Sequence, residues 1–211
     1  MATSPEEHLA LTDWRRSVAE LYATLRADER APEMRAVAFR AARDRLFGGH
    51  PSSPVPEADR RDFRGVAYFR YAPDLALRAR LEPDPDAPSL DVPRSGDGER
   101  VPFQRIGWVS FAVDGAPCRL AVFWLNEYAG GIFIPFQDAT SGNETYAGGR
   151  YLWDSAKGAD LGSEDGRLVL DFNYAYHPSC VYDERWSCPL APVENHLAVP
   201  VAAGERLEPA S

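Results

Sequence analysis

The chain has 211 residues and a formal net charge of -9, with 23 Lys and Arg set against 32 Asp and Glu, a balance that disfavours nucleic acid and anionic membranes as partners. Hydrophobic residues at 45% and charged residues at 26% are ordinary globular usage, which excludes global disorder and fits one folded domain. Cys118, Cys180 and Cys188 are too few, and odd in number, for a disulfide scaffold, so reduced thiols are expected.

The opening residues carry acids where a secretory signal has its basic region, and no run is long enough to span a bilayer. Cytoplasmic residence is expected. Ser4-Pro5-Glu6-Glu7 reads as a helix start, with Ser as N-cap, Pro at the first helical position and Glu three residues after the cap. Leu11, Trp14, Val18, Leu21, Tyr22 and Leu25 follow at three- and four-residue spacing and predict a helix to about Arg26, leaving Arg15, Arg16, Glu20 and Arg26 to solvent. Pro32 opens a second helix that Gly48-Gly49 ends, with Met34, Val37, Ala38, Ala41, Ala42, Leu46 and Phe47 as its apolar side.

After Pro51 the pattern changes. Residues 64–71 are rich in strand formers, and residues 75–82 alternate apolar and basic side chains before a proline-rich connection over 83–93. Residues 106–113, Asp114-Gly115 and residues 118–125 form the clearest hairpin, because Asp-Gly suits the positive φ angles of a type I′ turn. Residues 131–136, 167–176 and 196–201 predict three further strands. No strand after residue 60 is followed by a helix, so a parallel βαβ sheet is excluded. The expected fold is mainly β (α+β): an antiparallel barrel-like or sandwich sheet over residues 51–205, with a helical segment over 1–50 packed on it and a loose tail at 206–211.

Polar and aromatic residues concentrate between 135 and 195, in PFQDATSGNETYAGGRYL and LDFNYAYHPSCVYDERWSCPLAPVEN. Asp138 and Thr140, the run from Thr145 to Leu152 with Gly149 and Arg150, then Asp171-Phe172-Asn173 with Tyr176, Pro178 and Cys180, then Cys188-Pro189 with Glu194-Asn195 make up the pattern. Together these positions resemble the signature of the DUF1684 family, a domain of unknown function, over roughly residues 63–205. Two positions depart from that signature: His177 stands where the family usually has Asn, and His196 where it often has Arg. The resemblance implies a fold group and carries no activity with it.

Strand alternation over 167–176 would turn Asp171 and Asn173 to one face, as the polar lining of a ligand pocket, as a solvated strand face, or with the carboxylate pairing structurally with Arg150. Arg150, behind Gly148-Gly149 and between Tyr146 and Tyr151, suits capture of a carboxylate or phosphate, and equally suits burial against Asp171, Asp138 or Glu194. The cysteines admit three readings: a zinc site with His177 and His196, a nucleophile at Cys180 with His177 as base, or small buried hydrophobes. The zinc spacing matches no standard module, and no metal or cofactor is expected. Phosphate loops, Rossmann fingerprints and serine-hydrolase elbows are absent from the sequence.

Two functional readings follow. In the first, the domain binds an unidentified small molecule in a pocket lined by Arg150, Tyr146, Tyr151, Asn173, Tyr176 and Asn195, with Asp171 or Glu194 as acid–base group acting on an anionic substrate. In the second, the same residues are a non-catalytic polar cluster that locks the C-terminal loop. An enclosed cavity walled by these side chains would separate the two.

Overall fold

The computed structural model describes residues 4–96, 99–126 and 130–208. Helix α1 spans Pro5–Ala27 and helix α2 spans Pro32–Gly49. The predicted cap is present: Ser4 Oγ accepts the Glu7 amide at 3.2 Å and Glu7 Oε2 accepts the Ser4 amide at 3.0 Å. Helix α1 buries Val18, Tyr22 and Leu25, on the face its spacing predicts.

Helix α2 is turned differently from the apolar stripe of its sequence. It buries Ala36, Phe39, Arg43 and Phe47, while Met34 and Val37 are more than half exposed. The buried positions are helically spaced, but one is an arginine, and a reading by hydrophobicity selects the neighbouring face instead. Tyr22 of α1 packs edge-on to Phe39 of α2 at 5.2 Å, and Phe39 packs on Tyr174 at 4.9 Å, so a ladder of rings joins both helices to the sheets.

Among the described residues, nine antiparallel strands form two sheets. Strands β1 (Ala76–Ala79), β9 (Arg167–Asp171) and β8 (Ser163–Glu164) make the smaller, in that order. The larger runs β2 (Leu81–Pro83), β4 (Arg100–Val113), β5 (Ala116–Leu125), β6 (Ile132–Phe136) and β7 (Arg150–Asp154), with β3 (Ser89–Pro93) also on β4. Asp114 (φ 50°) and Gly115 (φ 80°) turn the β4–β5 hairpin in the predicted register, Val113 facing Ala116. The register slips by one between Arg105 and Gly107. That bulge lets one long strand serve two cores: Val101 and Phe103 pack with Phe123 and Phe133, whereas Val109 and Val113 pack with Leu120, Ile134 and Leu170.

The expected barrel does not form, because both sheets are open. Residues 75–82 are divided between the two sheets, β1 in the smaller and β2 in the larger. Residues 64–71 are extended but join no sheet, touching the C-terminal segment through one bridge, Tyr68 to Glu205. Residues 196–201 likewise contribute a single bridge, Gln137 to His196. Within 83–93 the prolines hide strand β3, which pairs with β4 from Ser89 to Pro93. Neither does the tail begin at 206, since the Arg206 amide donates to Ala67 and the Leu207 amide to Glu144; residues 209–211 lie outside the described ones. No helix among the described residues is long and apolar enough to cross a membrane.

Candidate functional site

Strand β9 ends at Asp171, where the chain turns into a short 3-10 helix, Phe172–Tyr174. Asp171 caps that turn: its Oδ1 accepts the Asn173 amide at 3.0 Å and Asn173 Nδ2 at 2.9 Å. The side chains of Asp171 and Asn173 therefore meet, as expected, through a turn rather than through strand alternation. Asn173 also clamps Ala72, accepting its amide and donating to its carbonyl, both at 2.8 Å. It is buried and fully engaged by the protein.

The capped turn forms one wall of a cleft of about 260 Å³ between the facing ends of α1 and α2 and the smaller sheet. Arg26 of α1, Arg35 of α2, Arg78 of β1, Glu164 of β8, Asp171 and Tyr174 line it. Two of the three arginines have protein partners: Arg26 donates to the Asp160 carbonyl, and Arg78 Nε lies 2.7 Å from Glu164 Oε2. The Arg35 guanidinium has no hydrogen bond or ion pair among the described residues, and its Nε is buried. Tyr174 Oη is also buried without a partner. Unpaired buried polar atoms are uncommon in native folds, and two of them on one concave wall mark a place where a ligand or water completes the bonding.

Burial raises the Asp171 carboxyl above its usual range, against the bonds from Asn173 and the positive fields of Arg35 and Arg78. The Tyr174 hydroxyl is raised for the same reason, burial first and the Asp171 charge second. The cleft thus holds a carboxyl whose pKa burial raises, a phenol held neutral and a guanidinium without a hydrogen bond or ion pair among the described residues.

Of the other sequence candidates, Tyr151 and Tyr176 line a separate, smaller cavity of about 70 Å³, together with Tyr22, Arg43, Asp154 and His177. Arg150 is fully enclosed. Its Nη2 donates to Asp138 Oδ2 and to the Val201 carbonyl, both at 2.8 Å, and its Nη1 donates to the carbonyls of Ala203 and Glu205. Asn195 bridges strands, accepting the Ala121 amide at 2.7 Å and donating to Ala121 and Pro135 carbonyls at 3.0 and 2.6 Å. It stands in for the sheet ladder where Pro135 has no N–H to give. Glu194 Oε1 lies 3.6 Å from Arg105 Nη1, remote from both hollows. Tyr146 Oη lies 3.9 Å from Cys180 Sγ.

His177 is buried, and the loss of solvent depresses its pKa to about 4. Its Nε2 accepts the Tyr146 amide at 3.3 Å, which leaves the proton of the neutral ring on Nδ1, 3.9 Å from Glu205 Oε2. With Nε2 occupied, it is not placed to take a proton from Cys180. Among the described residues no group of three or more His, Cys, Asp or Glu is arranged to hold a metal ion.

The family of proteins of unknown function DUF1684 matches residues 61–206. The chain belongs to this family. It is similar to the solution structure of an uncharacterized protein of Haloarcula marismortui, with 36% identity, a TM-score of 0.61, and 83% of this chain and 94% of that one covered. No curated protein matches it. Asp171, Tyr174 and Arg78 fall inside the family span, whereas Arg35 falls in the helical segment before it. Sequence reading missed Arg35 and Arg43 as site residues. The available signal was their position in α2, one place before buried Ala36 and midway between buried Phe39 and Phe47.

Proposed function

We propose that the protein binds a small anionic molecule in the Asp171 cleft and that Asp171 exchanges a proton with it. The observation that supports this most directly is the Arg35 guanidinium, without a hydrogen bond or ion pair among the described residues, on the same wall as the unpartnered Tyr174 hydroxyl and the raised Asp171 carboxyl. A planar guanidinium offers parallel donors to a carboxylate or phosphate. Tyr174 adds a neutral hydrogen-bond donor. Asp171 in its protonated form donates a third bond, and in its ionised form accepts a proton from an acidic group of the ligand. The cleft, at about 260 Å³, lies just below the usual range for ligand pockets and suits a small molecule. The overall charge of -9 makes three arginines around one hollow a local exception, which favours a small anion over a polyanion such as nucleic acid or a membrane surface.

The test is calorimetric titration with a panel of small mono- and dicarboxylates and phosphate monoesters. Binding should be lost in Arg35→Met with the fold unchanged. Affinity should rise as pH falls through the Asp171 titration, because protonation removes the like charge, and Asp171→Asn should remove that pH dependence. Binding that survives Arg35→Met would sink the reading.

The polar network around Arg150 supports the second reading, that of a structural lock, for its own residues. Arg150 Nη2 donates to Asp138 Oδ2, Asp138 Oδ1 accepts the Val201 amide, and Asn195 Nδ2 donates to the Pro135 carbonyl, so these side chains join strands β6 and β7 to the C-terminal segment.

A further inference from the structure

The cavity of about 70 Å³ is walled by α1, α2, the end of β7 and the C-terminal loop, and it shares no lining residue with the Asp171 cleft. Asp154, the last residue of β7, lines it with a side chain only 4% exposed. The Asp154 backbone is fixed by a reciprocal pair of bonds: its amide donates to the Ala159 carbonyl and the Ala159 amide to its own, both at 3.0 Å. The carboxylate is held less firmly. Its Oδ2 lies 3.5 Å from Lys157 Nζ, on a side chain that is 58% exposed, and its Oδ1 is buried with no hydrogen bond among the described residues. The Tyr22 hydroxyl, from α1, lines the same cavity and is likewise buried and unbonded.

The buried cation of the lining is already matched, since Arg43 Nε lies 2.5 Å from Glu205 Oε1 and the guanidinium sits over the Phe47 ring at 4.3 Å. Tyr151 and Tyr182 direct their hydroxyls away, to the Pro189 carbonyl and to Glu205 Oε2. What is left unmet is one negative oxygen and one phenol, in a hollow whose other walls include the rings of Trp14, Phe47, Tyr151 and Tyr176. An anion entering it would be repelled by Asp154. A neutral alcohol or amide would bond to the oxygens and leave the buried charge uncompensated. An ammonium group meets every demand at once: its N–H bonds reach carboxylate and phenol, its charge opposes Asp154, and aromatic surface favours both the cation and its carbons.

We propose that this cavity is a second binding site, one that takes a small primary alkylammonium ion between Asp154 and Tyr22. The volume has room for roughly two waters or for one molecule of about three to five heavy atoms, which limits the ligand to a short amine. Lys157 is the exposed residue of the lining and carries the same chemical group. Its ammonium stands at the outer carboxylate oxygen and leaves the inner one to the ligand. The site is independent of the Asp171 cleft, so the two stand or fall separately.

The experiment is calorimetric titration of the full-length protein at pH 7 with ethylammonium chloride, set beside tetramethylammonium chloride, ethanol and sodium chloride. Ethylammonium should bind saturably, one per chain, with a dissociation constant on the order of 1 mM, as its few heavy atoms allow. Tetramethylammonium, which has charge but no N–H, and ethanol, which has a donor but no charge, should bind at least about tenfold more weakly. Asp154→Asn should weaken ethylammonium by roughly tenfold or more and Tyr22→Phe by roughly fivefold. Lys157→Gln should bind it at least as tightly as the parent, and Arg35→Met should leave it unchanged. Where Asp154→Asn does not fold, Tyr22→Phe and the discrimination between ethylammonium and tetramethylammonium carry the test. Absence of saturable ethylammonium binding, equal binding of ethanol, or binding untouched by Tyr22→Phe and Asp154→Asn overturns the proposal. So does a crystal soaked in ethylammonium that shows only water between Asp154 and Tyr22.

Discussion

Arg150 Nη2 lies 2.8 Å from Asp138 Oδ2, and neither side chain exposes any surface to solvent. Around this ion pair the C-terminal segment is held by its backbone, since Arg150 collects the carbonyls of Val201, Ala203 and Glu205 while Asp138 Oδ1 accepts the Val201 amide at 3.1 Å. Removing the cation alone leaves a buried carboxylate and three carbonyls unmatched. Arg150→Met should therefore cost on the order of 3–5 kcal/mol in urea unfolding, a large part of the stability of an ordinary domain. A loss below about 1 kcal/mol would show that the pair is dispensable to the fold.

Gly149 sets up that arginine. Its φ is +93°, and a Cβ there would sit 2.5 Å from the Phe136 carbonyl oxygen, in the neighbouring strand. Gly149→Ala meets both a left-handed backbone and a backbone clash, and should destabilise by roughly 2–4 kcal/mol. Gly115→Ala, with a positive φ but open space around its Cβ, should cost only about 1 kcal/mol; comparing the two melts separates strain from crowding.

Acid should weaken the fold through His177. Its folded pKa is about 4, below the ordinary 6.5, because burial disfavours the imidazolium by more than the pull of Glu205 favours it, and the positive charges of Arg150 and Arg43 act in the same direction as burial. Between those values the unfolded chain binds the proton and the folded chain does not, so stability is lost as pH falls from 6.5 toward 4. The size is on the order of 3 kcal/mol. In His177→Asn the urea midpoint should vary less between pH 7 and pH 5 than in the parent.

Asp171 works in the opposite direction. Its folded pKa is raised by burial, so the stability it contributes is present at low pH and is lost as pH rises through its folded titration. Asp171→Asn keeps an oxygen to accept the Asn173 amide and removes the buried charge. The variant should melt higher than the parent at pH 7, while losing the pH dependence of anion binding. A lower melting temperature would mean that Arg35 and Arg78 already compensate the carboxylate in the empty protein.

Much of the fold was legible locally. Ser4 and Glu7 start α1 by themselves, Asp114-Gly115 turns the β4–β5 hairpin by itself, and the C-terminal motifs carry the family. Each depends on residues a few positions apart, whose backbone preferences or hydrogen bonds act before any tertiary contact. The partners of Arg43, Arg150 and Asn195 were not legible in that way. Arg43 Nε meets Glu205 Oε1 at 2.5 Å across 162 positions of chain, and nothing near either residue announces the other. Extended runs such as 64–71 stayed outside the sheets because the C-terminal segment and its buried charges occupy their hydrogen bonds instead. The cleft is of the same kind: Asp171 was marked by sequence, but Arg35 reaches its wall only when α2 turns its arginine-bearing face inward. Helix rotation is decided by the summed packing of both faces against the sheets, a quantity that no local pattern contains.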